Sequence, residues 1–139
     1  MCGIIGYVGD DNATPILLHG LQKLEYRGYD SAGIAVREKT NIPTVVKAEG
    51  KLNNLISKVE GLNIIGTSGI GHSRWSTHGA PTENNAHPHY SDDYNIIGVH
   101  NGIIENYQEL KDKLIRHGYS FYSETDTEVL IKLIDYYCK

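Results

Sequence analysis

Cys2 stands second in the chain and is followed by Gly3-Ile4-Ile5-Gly6. If Met1 is removed, this one residue carries both a thiol and a free α-amine. A free thiol has a pKa of about 8.5 and an α-amine about 7.7–8.0, so the amine can take the thiol proton near neutral pH. Threonine paired with an N-terminal amine works the same way. While Met1 is attached, the nitrogen is an amide and the chemistry is off. The plainer alternative is a small apolar side chain that starts a buried strand.

Three further groups of residues have chemical potential. In Gly71-His72-Ser73-Arg74-Trp75-Ser76-Thr77-His78-Gly79, Arg74 can hold a carboxylate through two parallel hydrogen bonds, with Thr77 and His78 as added donors. A strand-end arginine in a surface ion pair remains open. His100-Asn101-Gly102-Ile103 contains an Asn-Gly pair, which is first of all a tight-turn signal. Between a strand and a helix, however, that side-chain amide and an adjacent backbone N–H can converge on a developing oxyanion. Asp126 opens a helix, where capping or compensation of the helix dipole would account for it. It can also receive an ammonium group. Arg74 for a carboxylate and Asp126 for an ammonium together describe recognition of an amino acid, with Cys2 attacking a side-chain carbonyl.

These residues need elements to position them. Ile4 to Val8 is a short apolar run broken by glycine, read as a buried strand. Asn12-Ala13-Thr14-Pro15 signals a helix start, and Leu17, Leu18, Leu21 and Leu24 follow at helical spacing. Gly33 to Val36 and Thr44 to Lys47 read as strands. Leu52, Leu55, Ile56 and Val59 mark a second helix ended by Gly61. Gly69 to Trp75 and Ile96 to His100 are the next strands, separated by an aperiodic segment, Ser76 to Asn95, whose length suggests a functional loop. Ile103, Tyr107, Leu110 and Leu114 predict a third helix stopped by Gly118. Thr125-Asp126-Thr127-Glu128 is a capping box that opens a fourth, with Leu130, Leu133, Ile134 and Tyr137 on one face.

Composition narrows the class. The chain has 139 residues, 40% hydrophobic and 22% charged, which suits one globular domain with a real core. A net charge of -4 with scattered Lys and Arg gives no reason to expect nucleic acid or an acidic membrane as partner. No apolar run approaches the ~20 residues needed to span a bilayer, and the start lacks the basic n-region of a secretory signal. Two cysteines, Cys2 and Cys138, do not make a disulfide framework, and a cytoplasmic setting fits. The last helical stripe is still running at Lys139, which reads as an incomplete domain.

Six ordered motifs carry a family resemblance. Cys2-Gly3-Ile4-Ile5-Gly6 resembles the start of class II glutamine amidotransferases, which are N-terminal-nucleophile hydrolases. Leu24-Glu25-Tyr26-Arg27-Gly28-Tyr29-Asp30-Ser31-Ala32-Gly33, Arg74 to Gly79, Asn85-Ala86-His87-Pro88-His89, His100 to Tyr107 and Ser123 to Glu128 resemble, within that class, the isomerizing glutamine–fructose-6-phosphate aminotransferase (glucosamine-6-phosphate synthase) family. The amidophosphoribosyltransferase of the purine pathway shares the logic but usually carries His-Arg-Gly-Gln where this chain has Tyr26-Arg27-Gly28-Tyr29.

The resemblance implies an α+β fold, the four-layer αββα sandwich of the N-terminal-nucleophile hydrolases. Residues 1–139 would be a partial glutaminase domain, roughly its first half, without the sugar-isomerase domains. It implies Cys2 as nucleophile and Asn101 and Gly102 as oxyanion hole. Glutamine would bind through Arg74, Thr77, His78, Gly102 and Asp126, under a loop from Trp75 to Pro81 that closes over it. Arg27 would help order the site. The expected partners are glutamine and, only through the isomerase domain, fructose 6-phosphate; the full-length enzyme would be a homodimer, and no cofactor or metal is called for. An isolated half-sandwich would expose sheet edges and be weakly stable. Two rivals remain: a metal protein using some of the seven histidines, disfavoured because only His87-Pro88-His89 is close-set, and an inactive fragment that binds glutamine or another subunit without turnover.

Overall fold

The computed structural model describes residues 2–25, 30–39, 41–75 and 80–139. Its centre is a four-stranded antiparallel sheet in the order β1-β4-β2-β3, formed by β1 (Gly3–Val8), β2 (Ser31–Arg37), β3 (Thr44–Glu49) and β4 (Ser68–Arg74). Strand alternation divides its residues between two faces. Ile5, Ala32, Ile34, Val36, Val46 and Ala48 point to one side and pack with helices α1 (Ala13–Leu24) and α2 (Leu52–Glu60). Leu17, Leu21, Leu52 and Leu55 are fully buried there. Each such side chain contributes about 1.5–3 kcal/mol by leaving water. Asn12 caps α1 as predicted: its Oδ1 accepts from the Thr14 N–H at 3.3 Å and from the Gly66 N–H at 3.2 Å, which ties the helix start to the approach to β4.

The second face is polar at one end. Register places Gly3 opposite Ser73 and Ser31 opposite Arg74, so Cys2, Arg74 and Ser31 come level. One row further in, Ile4, His72, Gly33 and Lys47 lie side by side. Over this face passes the segment that leads into a two-stranded ribbon, β5 (His89–Tyr90) and β6 (Ile97–Gly98). Gly33 makes the close approach possible, because a Cβ there would overlap the His87 carbonyl. Helix α4 (Asp126–Cys138) packs on the ribbon, and α3 (Tyr107–Arg116) packs on α4. The order helices, sheet, ribbon, helices is the expected four-layer arrangement, with a thin third layer.

Four element expectations need correction. The aperiodic segment contains β5, a pairing too short to leave a period. The strand expected over Ile96 to His100 contracts to Ile97–Gly98. Helix α3 starts at Tyr107, leaving Ile103 outside it and 72% exposed, because the backbone from His100 to Asn106 is diverted into the site. Its end is as predicted. Gly118 has φ +91°, its N–H donates to Ile115 O at 3.0 Å, and the Tyr119 N–H donates to Leu114 O at 3.0 Å, a Schellman motif.

The fourth correction concerns α4. Leu130 and Leu133 are only half-buried, and Ile134 and Tyr137 are exposed. The buried face is Thr127, Glu128, Ile131, Lys132 and Asp135. Charge sits inside because it is paired. Lys132 Nζ lies 2.7 Å from Glu128 and donates to Ser120 O, while the Glu128 carboxylate accepts from the N–H groups of Tyr122 and Ser123 and from the Ser123 hydroxyl. The capping box is therefore half formed. Thr125 Oγ1 accepts from the Glu128 N–H at 3.3 Å, but Glu128 turns to Lys132 and the preceding turn instead of reaching back.

Candidate active site

Cys2 stands at the start of β1, beside the end of β4; β1 is an edge strand with Ile4 and Val8 exposed, and not the buried strand expected. Its sulfur accepts from the Trp75 N–H at 3.3 Å, and its thiol lies 3.6 Å from Trp75 O. Arg74, 3% exposed, ends β4 on the polar face, and its Nη1 donates to Ala80 O at 3.2 Å. Asn101 comes from the loop between β6 and α3. Its Nδ2 donates to the Cys2 carbonyl at 3.2 Å, and its Oδ1 lies 2.8 Å from His72 Nε2. Gly102 follows with φ +154°, a backbone geometry that favours glycine. Asp126 opens α4, is 6% exposed, and accepts from the Ile104 N–H at 2.8 Å. That bond fixes the loop carrying Asn101 and Gly102 to the helix carrying Asp126.

Cys2, Arg74, Trp75, Gly102 and Asp126 line one small cavity of about 30 Å³, together with His87, His100, Thr125 and Thr127. This is room for about one or two waters. Trp75 stands at its rim, 51% exposed. Residues more than 120 positions apart in sequence thus share one pocket, with a nucleophile, a cation and a carboxylate facing a common space. Arg27, Thr77 and His78 lie outside the described residues. A larger cavity of about 470 Å³ lies at the other end of the same sheet face, lined by Gly6, Ala35, Pro43, Ile70 and Ile97, among others. It stands apart from Cys2 and shares no lining residue with the smaller cavity.

Behind the pocket lies a group of histidines whose part in the site the sequence reading did not anticipate. The His72 and His87 rings stack at 4.0 Å, and His89 meets His87 edge-on at 4.5 Å. Four of their six ring nitrogens face hydroxyl or amide partners: His87 Nε2 to Thr127, His89 to Tyr122 and Thr125, His72 Nε2 to Asn101. Burial, helped by the neighbouring cations, lowers all three. His72 falls to about 4, and His87 and His89 also titrate well below the usual imidazole range. Lys47, beside them under the Tyr90 and Tyr122 rings, is lowered to about 7, again chiefly by burial. The sequence held one signal: His72 precedes Arg74 by two, so both project from the same face of β4.

Comparison with known proteins agrees with this geometry. A family model described as a glutamine amidotransferase domain matches residues 39–139. The glutamine–fructose-6-phosphate aminotransferase (isomerizing) of Caldanaerobacter subterraneus subsp. tengcongensis is 60% identical over 137 residues, 99% of this chain and 22% of that protein. The enzyme of the same name from Clostridium tetani is 58% identical over 139 residues, 100% of this chain and 23% of that protein. The chain therefore spans less than a quarter of the length of these relatives. Among solved structures, the glutamine phosphoribosylpyrophosphate amidotransferase from B. subtilis complexed with ADP and GMP superposes with a TM-score of 0.80 at 30% identity, over 97% of this chain and 29% of that one. The fold is that of the N-terminal-nucleophile class II amidotransferases. With matched motifs, a shared architecture and a cysteine beside an arginine–aspartate pair, this chain belongs to the glutamine amidotransferase domain family.

Proposed function

We propose that this chain is the glutamine-hydrolysing part of an enzyme that supplies ammonia for conversion of fructose 6-phosphate to glucosamine 6-phosphate. The observation that carries the reading is the shared pocket of Cys2, Gly102, Arg74 and Asp126, with Asn101 anchored to the Cys2 carbonyl. Arg74 holds the α-carboxylate of glutamine, with Thr77 and His78 as further donors. Asp126 receives the α-ammonium, aided by the Gly102 carbonyl. Trp75 closes the rim, which must open to admit a ligand larger than the present space.

With Met1 removed, the α-amine of Cys2 takes the thiol proton, directly or through water, and the sulfur adds to the side-chain carbonyl carbon. The oxyanion forms against the Asn101 Nδ2 and the Gly102 N–H. The C–N bond breaks, and the ammonium proton of Cys2 leaves with the departing amine as ammonia. Water then adds to the thioester, releasing glutamate and regenerating the thiol. No cofactor enters these steps. Arg27, Thr77 and His78 take the roles implied by their motifs.

Fructose 6-phosphate would meet the ammonia in a sugar-isomerase domain outside these residues, in a homodimeric cytoplasmic enzyme. Identity near 60% to the aminotransferases, against 30% to the phosphoribosylpyrophosphate enzyme, supports the amino-sugar branch. No helix among the described residues is long and apolar enough to cross a membrane. The test is intact-mass analysis for loss of Met1, followed by a glutamate-release assay of the full-length protein beside its Cys2→Ala variant. Release that depends on Cys2 supports the proposal. An inactive, processed protein that still binds glutamine favours the binding-only alternative.

A further inference from the structure

Asn101 has a side-chain amide with two distinguishable ends. One end faces the Cys2 carbonyl at 3.2 Å. A carbonyl oxygen can only accept, so that end must be the NH₂ group. The other end, Oδ1, therefore faces His72 Nε2 at 2.8 Å. An amide oxygen can only accept, so His72 must carry its proton on Nε2. The hydrogen-bond chain Cys2 C=O, Asn101, His72 thus has one consistent polarity. It leaves the second N–H of Asn101 Nδ2 free of these two partners.

We infer that His72 is a positioning residue for amide hydrolysis, its Nε2–H locking the Asn101 amide so that a free N–H faces the oxyanion formed beside Cys2. This rests on the glutamine-hydrolysing reading above. Flipped, the amide would turn a lone pair toward both the Cys2 carbonyl and the oxyanion, replacing attraction with repulsion. The lock is itself held. His72 is wholly buried on β4, one face of its ring is stacked on His87 at 4.0 Å, and Gly33 on the adjacent strand leaves the space through which His87 reaches it. Burial keeps the ring neutral across working pH, so the single proton stays where Asn101 needs it. A loop side chain is thereby oriented by the rigid central sheet, which gives the preorganisation an oxyanion donor requires.

The experiment uses the full-length protein with Met1 removed and compares His72→Phe and His72→Gln with the parent. Phenylalanine fills the ring space without a donor, whereas the glutamine amide N–H can reach the position of Nε2. Misorienting one oxyanion donor should lower kcat in H72F by about 10–100-fold. KM should stay within about threefold, because ground-state contacts remain. Affinity for the γ-aldehyde analogue of glutamine, whose thiohemiacetal anion occupies the oxyanion site, should fall with kcat, while affinity for L-glutamate holds. H72Q should recover most of the lost rate.

Unchanged kcat in H72F, or parallel loss of L-glutamate and aldehyde affinity, overturns the inference. So does a folded H72Q no more active than H72F. If H72F does not fold, ¹⁵N spectra of the histidine-labelled parent decide: an Nε2–H tautomer at His72 supports the lock and an Nδ1–H tautomer overturns it. A parent that releases no glutamate refutes the functional reading itself, before any variant is compared.

Discussion

The backbone N–H of Trp75 donates to Cys2 Sγ at 3.3 Å, joining the first residue after β4 to the residue before β1. The sulfur is therefore held by a backbone donor next to the end of β4 and not by a flexible side chain.

Replacement of Cys2 by alanine should reduce glutamate release by at least about 10³-fold, the scale on which nucleophile removal acts. Glutamine binding measured by calorimetry should change little, since Arg74 and Asp126 remain. Cys138, exposed at the end of α4, is the control, and its alanine variant should keep full activity.

Asp126→Asn preserves an oxygen acceptor for the Ile104 N–H but removes the charge that would meet an ammonium. KM for glutamine should rise about 10–100-fold, the worth of a charge-assisted contact. The melting temperature should stay nearly constant, because the loop anchor survives. Equal loss of KM and stability would show that Asp126 is a structural cap and nothing more.

The Glu128–Lys132 pair is almost wholly buried. Lys132→Met alone leaves an unpaired carboxylate inside and should cost about 3–5 kcal/mol of unfolding free energy. Adding Glu128→Gln should restore part of that loss. Chemical denaturation of both variants measures the difference, and an additive double variant would contradict the pairing.

Gly118→Ala tests the Schellman motif that ends α3. Nothing lies within 4 Å of a Cβ placed there, so the cost arises in the backbone at φ +91°. A loss of about 1 kcal/mol is expected, with kcat and KM unchanged.

Acid should destabilise the fold through His72, His87 and His89. Their folded values lie below the ordinary imidazole value of 6.5 because burial opposes the charge. Between pH 6.5 and about 4 the unfolded chain binds protons that the folded chain excludes, so stability falls as pH falls. Urea unfolding at pH 7.5 and pH 5 should show the decline, and His72→Phe should reduce its slope.

Much of the architecture was legible along the chain. The leucine spacing of α1 and α2, the Asn12 cap, the Gly118 stop and the runs that form the four-stranded sheet act through neighbours a few residues away, and all appear where expected. What was hidden involves exchange between distant segments. The apolar stripe of α4 suggested that Leu130, Leu133, Ile134 and Tyr137 would face inward. The helix instead buries Glu128 and Lys132, because each finds its partners in the other and in the turn at Ser120 to Ser123. Ribbon pairing of two residues per strand is too short to register as a period.

The residue types at Cys2, Arg74, Asn101, Gly102 and Asp126 determined by themselves which reactive and charged groups the chain carries. Chemistry of this kind belongs to the side chain: a thiol, a guanidinium, an amide and a carboxylate bring their reactivity and charge wherever they stand. Only the tertiary structure decided that they face one another, and that His72 stands behind Asn101 on the far side from Cys2. Convergence depends on the register of β1, β4 and β2 and on a loop anchored by Asp126. Contacts across nearly a hundred residues are set by packing and closure of the whole sheet, which no local pattern encodes.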